Sequence, residues 1–236
     1  MHEGLVSMVL GLPGMPAAAE EVMIGRDIAL AEATGGRLHV MHVSTAGGVA
    51  LIREAKRRGA RVTAEACPHH FTLTDEGLRT FDSNHKMSPP LRTAADVEAI
   101  IVGVVDGTLD CIATDHAPHA REKKMLELDR APFGILGLET AVGLAVTRLV
   151  ATGRIGWPRL VEAMSTLPAR ILGIARGTLR PGAVADVTVI DPGLEWQVDV
   201  AGFRSKSVNS PFDGWTLKGR AVATIVGGRV KHRLER

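Results

Sequence analysis

The stretch Cys111-Ile112-Ala113-Thr114-Asp115-His116-Ala117-Pro118-His119 turns from apolar to polar within a few residues, leaving a carboxylate and two imidazoles where the apolar run stops. Two earlier runs behave alike. "RLHVMHVS" (37–44) carries His42 near its end, and "RVTAEACP" (61–68) is followed by His69 and His70. Imidazoles and carboxylates are the side chains that hold divalent metals and move protons near neutral pH. Each also has a plainer reading. His42 can satisfy a backbone carbonyl at a helix start, and Asp115 can cap a turn. His116 adjoins Asp115 and can simply orient it. Adjacent side chains diverge, so one of the His69-His70 pair is expected on a loop surface. Three polar run ends in succession nevertheless point to one shared site.

The elements that would position such a site follow from periodicity and punctuation. Residues 16–34 open on proline and acids and close on Gly35, the start and stop signals of a helix. A strand over 37–44, an amphipathic helix over 46–60, a strand over 61–68, a helix over 93–107 and a strand over 109–115 come next. Strands alternating with helices imply right-handed crossovers and a parallel sheet, whose sites form at the carboxyl ends of the strands. After a loop over 116–135, helical segments are expected near 136–151, 158–165 and 167–174. From residue 176 the pattern becomes glycine-punctuated strands, and Gly227-Gly228 within "IVGGRV" suits a tight hairpin turn.

Composition narrows the function classes. The net charge of +2 balances 28 basic against 26 acidic residues, and only the tail "RVKHRLER" is locally basic, so a nucleic-acid partner is not expected. The N-terminal stretch lacks a basic n-region and is interrupted by Gly and Pro, unlike a signal peptide. No apolar run approaches the roughly 20 residues that span a bilayer. Cys67 and Cys111 read as buried thiols of a reducing compartment, and the protein is expected to be soluble and cytoplasmic, with no membrane partner.

Several motifs, in order, carry a family resemblance: "HVSTAG" (42–47), "TAEACPHH" (63–70), "KMSPPLR" (86–92), "IATDHAPH" (112–119) and "APFGILGLET" (131–140). Together with "GTLRPGAVADVTVIDP" and "FRSKSVNSPFDGW", they resemble type I dihydroorotases of the amidohydrolase superfamily. The resemblance implies an α/β fold, with residues 1–175 as part of a (β/α)8 barrel (strands six to eight and their helices) and 176–236 as a segment of a small β-sandwich. It implies zinc as cofactor in a two-metal site, with His42 and Asp115 as ligands and Asp115 also shuttling the proton. It further implies that His119 bonds the substrate carboxylate and that Phe133 and Gly134 contact the ring through backbone groups. The implied reaction is the reversible closure of N-carbamoyl-aspartate to dihydroorotate in pyrimidine biosynthesis.

Two departures qualify the match. Ser88 occupies a substrate-binding position where such dihydroorotases usually carry asparagine; the "SPP" form is closer to hydantoinases, and it leaves a hydantoin- or allantoin-type cyclic amide as an alternative substrate. The second departure concerns ligands. The family's strand-one His-x-His pair is absent from the nine histidines, at 2, 39, 42, 69, 70, 85, 116, 119 and 232. A full barrel takes about 250 residues. The expectation is therefore the C-terminal portion of such an enzyme, beginning after strand five and inactive by itself. The partners expected are the small-molecule substrate and either further copies of the chain or aspartate transcarbamoylase. The alternative reading is a non-catalytic dihydroorotase-like scaffold for that transcarbamoylase, as in relatives that have lost their metal ligands.

Overall fold

A computed structural model describes residues 1–235. Helix α1 (Leu5–Leu10) and the long α2 (Ala17–Thr34) lead into strand β1 (Leu38–Val40), helix α3 (Ala46–Arg57), strand β2 (Val62–Ala66), helix α4 (Ala94–Asp106) and strand β3 (Cys111–Ile112). The three strands form one parallel sheet in the order β1-β2-β3, with Leu38 opposite Val62 and Ala66 opposite Ile112. The strands are shorter than their apolar runs for a physical reason. Just past their ends His42 and Asp115 adopt φ of 54° and 46°, left-handed backbone that departs from strand geometry, although the Val43 amide still donates to Glu65 O at 3.0 Å.

The core lies between this sheet and its crossover helices. Ala64 and Ala66 of β2, Val49 and Ile52 of α3, Ile100 and Val104 of α4, and Leu109 are all buried. Thr45 and Thr93 start α3 and α4 by accepting hydrogen bonds from the Gly48 and Asp96 amides. Asp110 ties the start of β3 to its neighbours, accepting from the Ala64 amide at 2.8 Å and from Lys56 Nζ at 2.6 Å.

Beyond β3, the 116–135 segment contains the single turn α5 (Arg121–Lys124). Helix α6 (Ala141–Ala145) runs on into a wider turn through Val150, and α7 (Trp157–Val161) continues through a similar turn into α8 (Leu167–Leu172). Strands β4 (Val187–Gln197), β5 (Thr216–Val226) and β6 (Arg229–Arg233) make an antiparallel sheet. Gly227 and Gly228, at φ 56° and 76°, supply the turn between β5 and β6 at the expected hairpin.

The chain divides into two compact units, Met1–Leu138 with Val200–Pro211, and Glu139–Asp199 with the stretch from Phe212. Within the second unit α6 packs on β5, and 200–211 belongs to the first. Cys67 and Cys111 are both buried thiols. Among the described residues no helix is long and apolar enough to cross a membrane.

The core assignment is testable by truncation. Ile100→Ala is expected to destabilise the protein by about 2–5 kcal/mol. Val102→Ala, on the exposed face of the same helix, is expected to stay within about 0.5 kcal/mol. Urea unfolding of both variants measures the contrast.

Candidate active site

The site is built on the carboxyl ends of the parallel strands. His42 Nε2 lies 3.7 Å from Asp115 Oδ1. The other ring nitrogen, Nδ1, is 2.9 Å from Glu65 Oε1. An ionised carboxylate only accepts, so Nδ1 carries the proton and the lone pair of neutral His42 sits on Nε2, toward Asp115. Glu65 is shared: its Oε2 accepts from His39 Nε2 at 3.1 Å, and His39 Nδ1 bonds Thr63 Oγ1 at 2.8 Å. In an unbroken strand residues 39 and 42 would face opposite ways. The left-handed turn at His42 brings both imidazoles to one carboxylate.

These contacts set the charge states. Burial pushes Glu65 up, but the hydrogen bonds from His39 and His42 outweigh it and hold the carboxyl at about 2. The bond to Glu65 raises His42 above its ordinary value, against burial and with help from the Asp115 charge. Burial raises Asp115, opposed by His42. A cation shared by His42 Nε2 and Asp115 would fit: two bonds of about 2.0–2.2 Å reach across such a gap, and Glu65 supplies the acceptor that orients a metal-binding imidazole.

A second layer fixes the backbone just after His42. Glu20 accepts from the Ser44 amide at 2.8 Å and the Thr45 amide at 3.2 Å, and it also bonds the Ser44 hydroxyl. Arg92, almost fully buried, donates to Ser44 Oγ at 3.1 Å and to Met15 O at 2.8 Å, and pairs with Glu20 at 3.3 Å. A buried guanidinium with a carboxylate and further acceptors is held rigidly.

His69 and His70 are both buried, which corrects the expectation that one would face solvent. The 3₁₀ turn Pro68–Phe71 tucks both rings inward, and His70 Nε2 donates to Pro89 O at 3.0 Å. Burial lowers His69 well below its ordinary value and takes His70 to about 4, so both rings are neutral. Their donor atoms and the Cys67 sulfur lie within 4.8 Å of one another. Two neutral imidazoles and a thiol at that spacing are of the right type and closeness to share a metal ion.

The remaining predicted residues fall on two adjoining loops. His119 Nε2 donates to Phe133 O at 2.7 Å. Gly134 donates its amide to Lys86 O at 2.9 Å, and Ala117 donates to Ile135 O at 2.8 Å. Gly134 has φ 105°, and a Cβ there would come within 2.5 Å of Ala117 Cβ, so the loops approach as only glycine permits. His116 accepts from the Gly137 amide at 3.1 Å, which makes it a brace between these loops. Ser88 is exposed, and among the described residues no hydrogen bond joins it to His42, Asp115 or His119. A cavity of about 250 Å³ reaches Phe133 and Lys86 but is lined by neither His42 nor Asp115.

With this geometry established, comparison with known proteins is decisive on family. Residues 13–231 match the amidohydrolase family. The chain belongs to the amidohydrolase family. Curated relatives within it include a protein named dihydroorotase from Pelotomaculum thermopropionicum, 62% identical over 98% of this chain and 54% of that protein. Another, from Citrifermentans bemidjiense, is 54% identical over 99% of this chain and 55% of that protein. The chain thus spans about half the length of these amidohydrolase relatives. Among solved structures, an L-hydantoinase from Arthrobacter aurescens superposes with a TM-score of 0.86 at 33% identity, covering 92% of this chain and 49% of that one. A D-hydantoinase from Thermus sp. gives 0.85 at 30% identity, with the same two coverages.

Sequence reasoning missed Glu65, His39, Glu20 and Arg92. A signal existed for Glu65, a carboxylate within a strand with buried alanines on either side. Glu65→Ala is expected to lower stability by about 2–3 kcal/mol at neutral pH. A carboxyl that titrates at about 2 when folded, against an ordinary 4.5, stabilises the fold above 4.5 and loses that contribution as pH falls toward 2. The gap between wild type and variant should therefore narrow across that window, which unfolding curves at stepped pH will measure.

Proposed function

We propose that this chain contributes the strand-six to strand-eight side of a zinc-dependent dihydroorotase site, for the reversible ring closure of N-carbamoyl-aspartate in the cytoplasm. The observation that carries the reading is the 3.7 Å approach of His42 Nε2 to Asp115 Oδ1, with His42 Nδ1 committed to Glu65. The dihydroorotase name of relatives at 54–62% identity supports the substrate class. On this reading the parallel sheet is part of a (β/α)8 barrel, and 176–236 is a β-sandwich segment.

Zinc, when bound, supplies Lewis acidity and an activated water. The chain's own residues do the rest. His42 and Asp115 hold the metal, and Glu65 keeps the His42 lone pair turned toward it. In the hydrolytic direction Asp115 accepts a proton as water adds to the ring amide carbon. The carbon–nitrogen bond then breaks, and Asp115 returns the proton to the departing nitrogen. Ring closure is the reverse. His119 exchanges the Phe133 carbonyl for the substrate carboxylate as the acceptor of its Nε2–H, and the Phe133-Gly134 backbone and Ser88 contact the ring.

Two ligands are too few for a catalytic zinc, which takes about three protein ligands with one position open. The other ligands come from elements outside the three described strands, in further polypeptide or a partner copy. Ser88 and the hydantoinase-like superposition favour a second reading, a hydantoin- or allantoin-type substrate at the same site.

An ultraviolet assay with added zinc tests the proposal. The chain alone should give no turnover of dihydroorotate. Mixed with a polypeptide carrying strands one to five of a dihydroorotase, it should turn over dihydroorotate in preference to hydantoin, and Asp115→Ala should abolish the rate. An inert mixture, or a preference for hydantoin, contradicts the dihydroorotase reading. Separately, Glu65→Gln is expected to weaken zinc binding by roughly 10–100-fold in that mixture, measured by calorimetry.

A further inference from the structure

We infer that Asn209 is a positioning residue that locks the His119 loop and the Phe133-Gly134 loop into one substrate-facing rim; this rests on the proposed roles of those loops. Asn209 lies in 200–211, the segment that returns to the first compact unit, 90 residues after His119. Its side chain is buried, with only 4% of the residue exposed. Oδ1 accepts from the His119 amide at 3.1 Å. Nδ2 donates to Ala117 O at 2.9 Å and to Gly134 O at 3.2 Å. Its main-chain carbonyl accepts from the Leu136 amide at 3.0 Å.

These partners fix both the residue type and its orientation. One acceptor faces an N–H, and two donors face two carbonyls. Reversing the amide would put like against like at all three. Aspartate keeps the acceptor but loses both donors, and its charge would face two carbonyl oxygens. Serine has one donor for two carbonyls. Only a primary amide at this reach bonds both loops at once.

The clamp matters because of what hangs from it. The His119 main chain is held by Asn209, and the His119 ring is held by Phe133 O, the carbonyl preceding the clamped Gly134. Lys124 Nζ also donates to Gly134 O at 3.2 Å and to Pro132 O at 3.0 Å, so that loop is anchored to the protein independently of Asn209. Losing Asn209 leaves the Ala117–Ile135, His116–Gly137 and His119–Phe133 bonds between the loops but removes the tie of the His119 amide to the Gly134 carbonyl, so the two substrate-facing groups lose their fixed relation. A carboxylate and a ring bound across both loops would sense that loss.

The test uses the whole chain mixed with zinc and the polypeptide carrying strands one to five, with L-dihydroorotate and N-carbamoyl-L-aspartate as probes. Amide NMR follows the His119 and Gly134 signals, and hydrogen exchange follows the His119 amide. Asn209→Ala should speed exchange at His119 and weaken probe binding at least 10-fold, while Lys124 contacts and overall folding persist. Asn209→Asp should keep His119 protected yet still weaken binding, a split that a merely structural role does not produce; it decides the matter if the alanine variant fails to fold. Unchanged exchange at His119 in Asn209→Ala, or unchanged affinity in either folded variant, overturns the inference. If wild type shows no probe-induced shift at His119 or Gly134, the rim is not substrate-facing, and the proposed roles of these loops fall together with the positioning role.

Discussion

One carboxylate organises the candidate site. Glu65 accepts from two imidazoles at once, and that fixes which nitrogen of His42 is free. Without an acceptor on Nδ1 the ring could turn or change tautomer, and nothing would keep its lone pair opposite Asp115. The arrangement has a cost. His42 and Asp115 both hold left-handed backbone, each at about 1–3 kcal/mol for a non-glycine residue, and Glu65 is mostly withdrawn from water. The surrounding hydrogen bonds over-determine those conformations. Glu20 and Arg92 pin the Ser44-Thr45 backbone that follows His42, and the His116–Ile135 bridge pins the segment that follows Asp115.

Rigid elements and adaptable loops divide the work. The parallel sheet and α3 and α4 place His42, Glu65 and Asp115 from strand ends, where side-chain direction is set by the ladder and its abrupt termination. His119, Phe133 and Gly134 stand on loops, and their relation depends on hydrogen bonds to the Lys86 carbonyl and from the Lys124 and Asn209 side chains. On the proposed reading, the metal-directed groups belong to the scaffold and the specificity-directed groups to the rim.

Much of this was legible in the sequence, for identifiable reasons. The order of helices and strands followed from apolar period and from caps such as Thr93 and Gly107, which are local signals. His42 and Asp115 were legible because each ends an apolar run. The His39–Glu65 contact was not: it depends on the register of β1 against β2 and on a left-handed turn that no residue type announces at a histidine. The burial of both His69 and His70 was hidden for a similar reason, since the direction of a short 3₁₀ turn is set by what packs over it. Asn209 and Arg92 lie far in sequence from the groups they hold, and only the folded chain reveals their partners. The division into compact units was obscured because 200–211 leaves the β-rich region and returns.

The central claim is that Glu65 holds His42 with Nδ1 protonated, so that Nε2 is the nitrogen offered toward Asp115. Long-range proton–nitrogen NMR of the His42 ring, at mildly alkaline pH with and without zinc, tests it most directly. The account predicts a protonated Nδ1 and a bare Nε2 in the zinc-free protein, with zinc shifting Nε2 and leaving the Nδ1 proton in place. A proton found on Nε2 of the neutral ring, or a zinc-induced shift at Nδ1 instead, would contradict it.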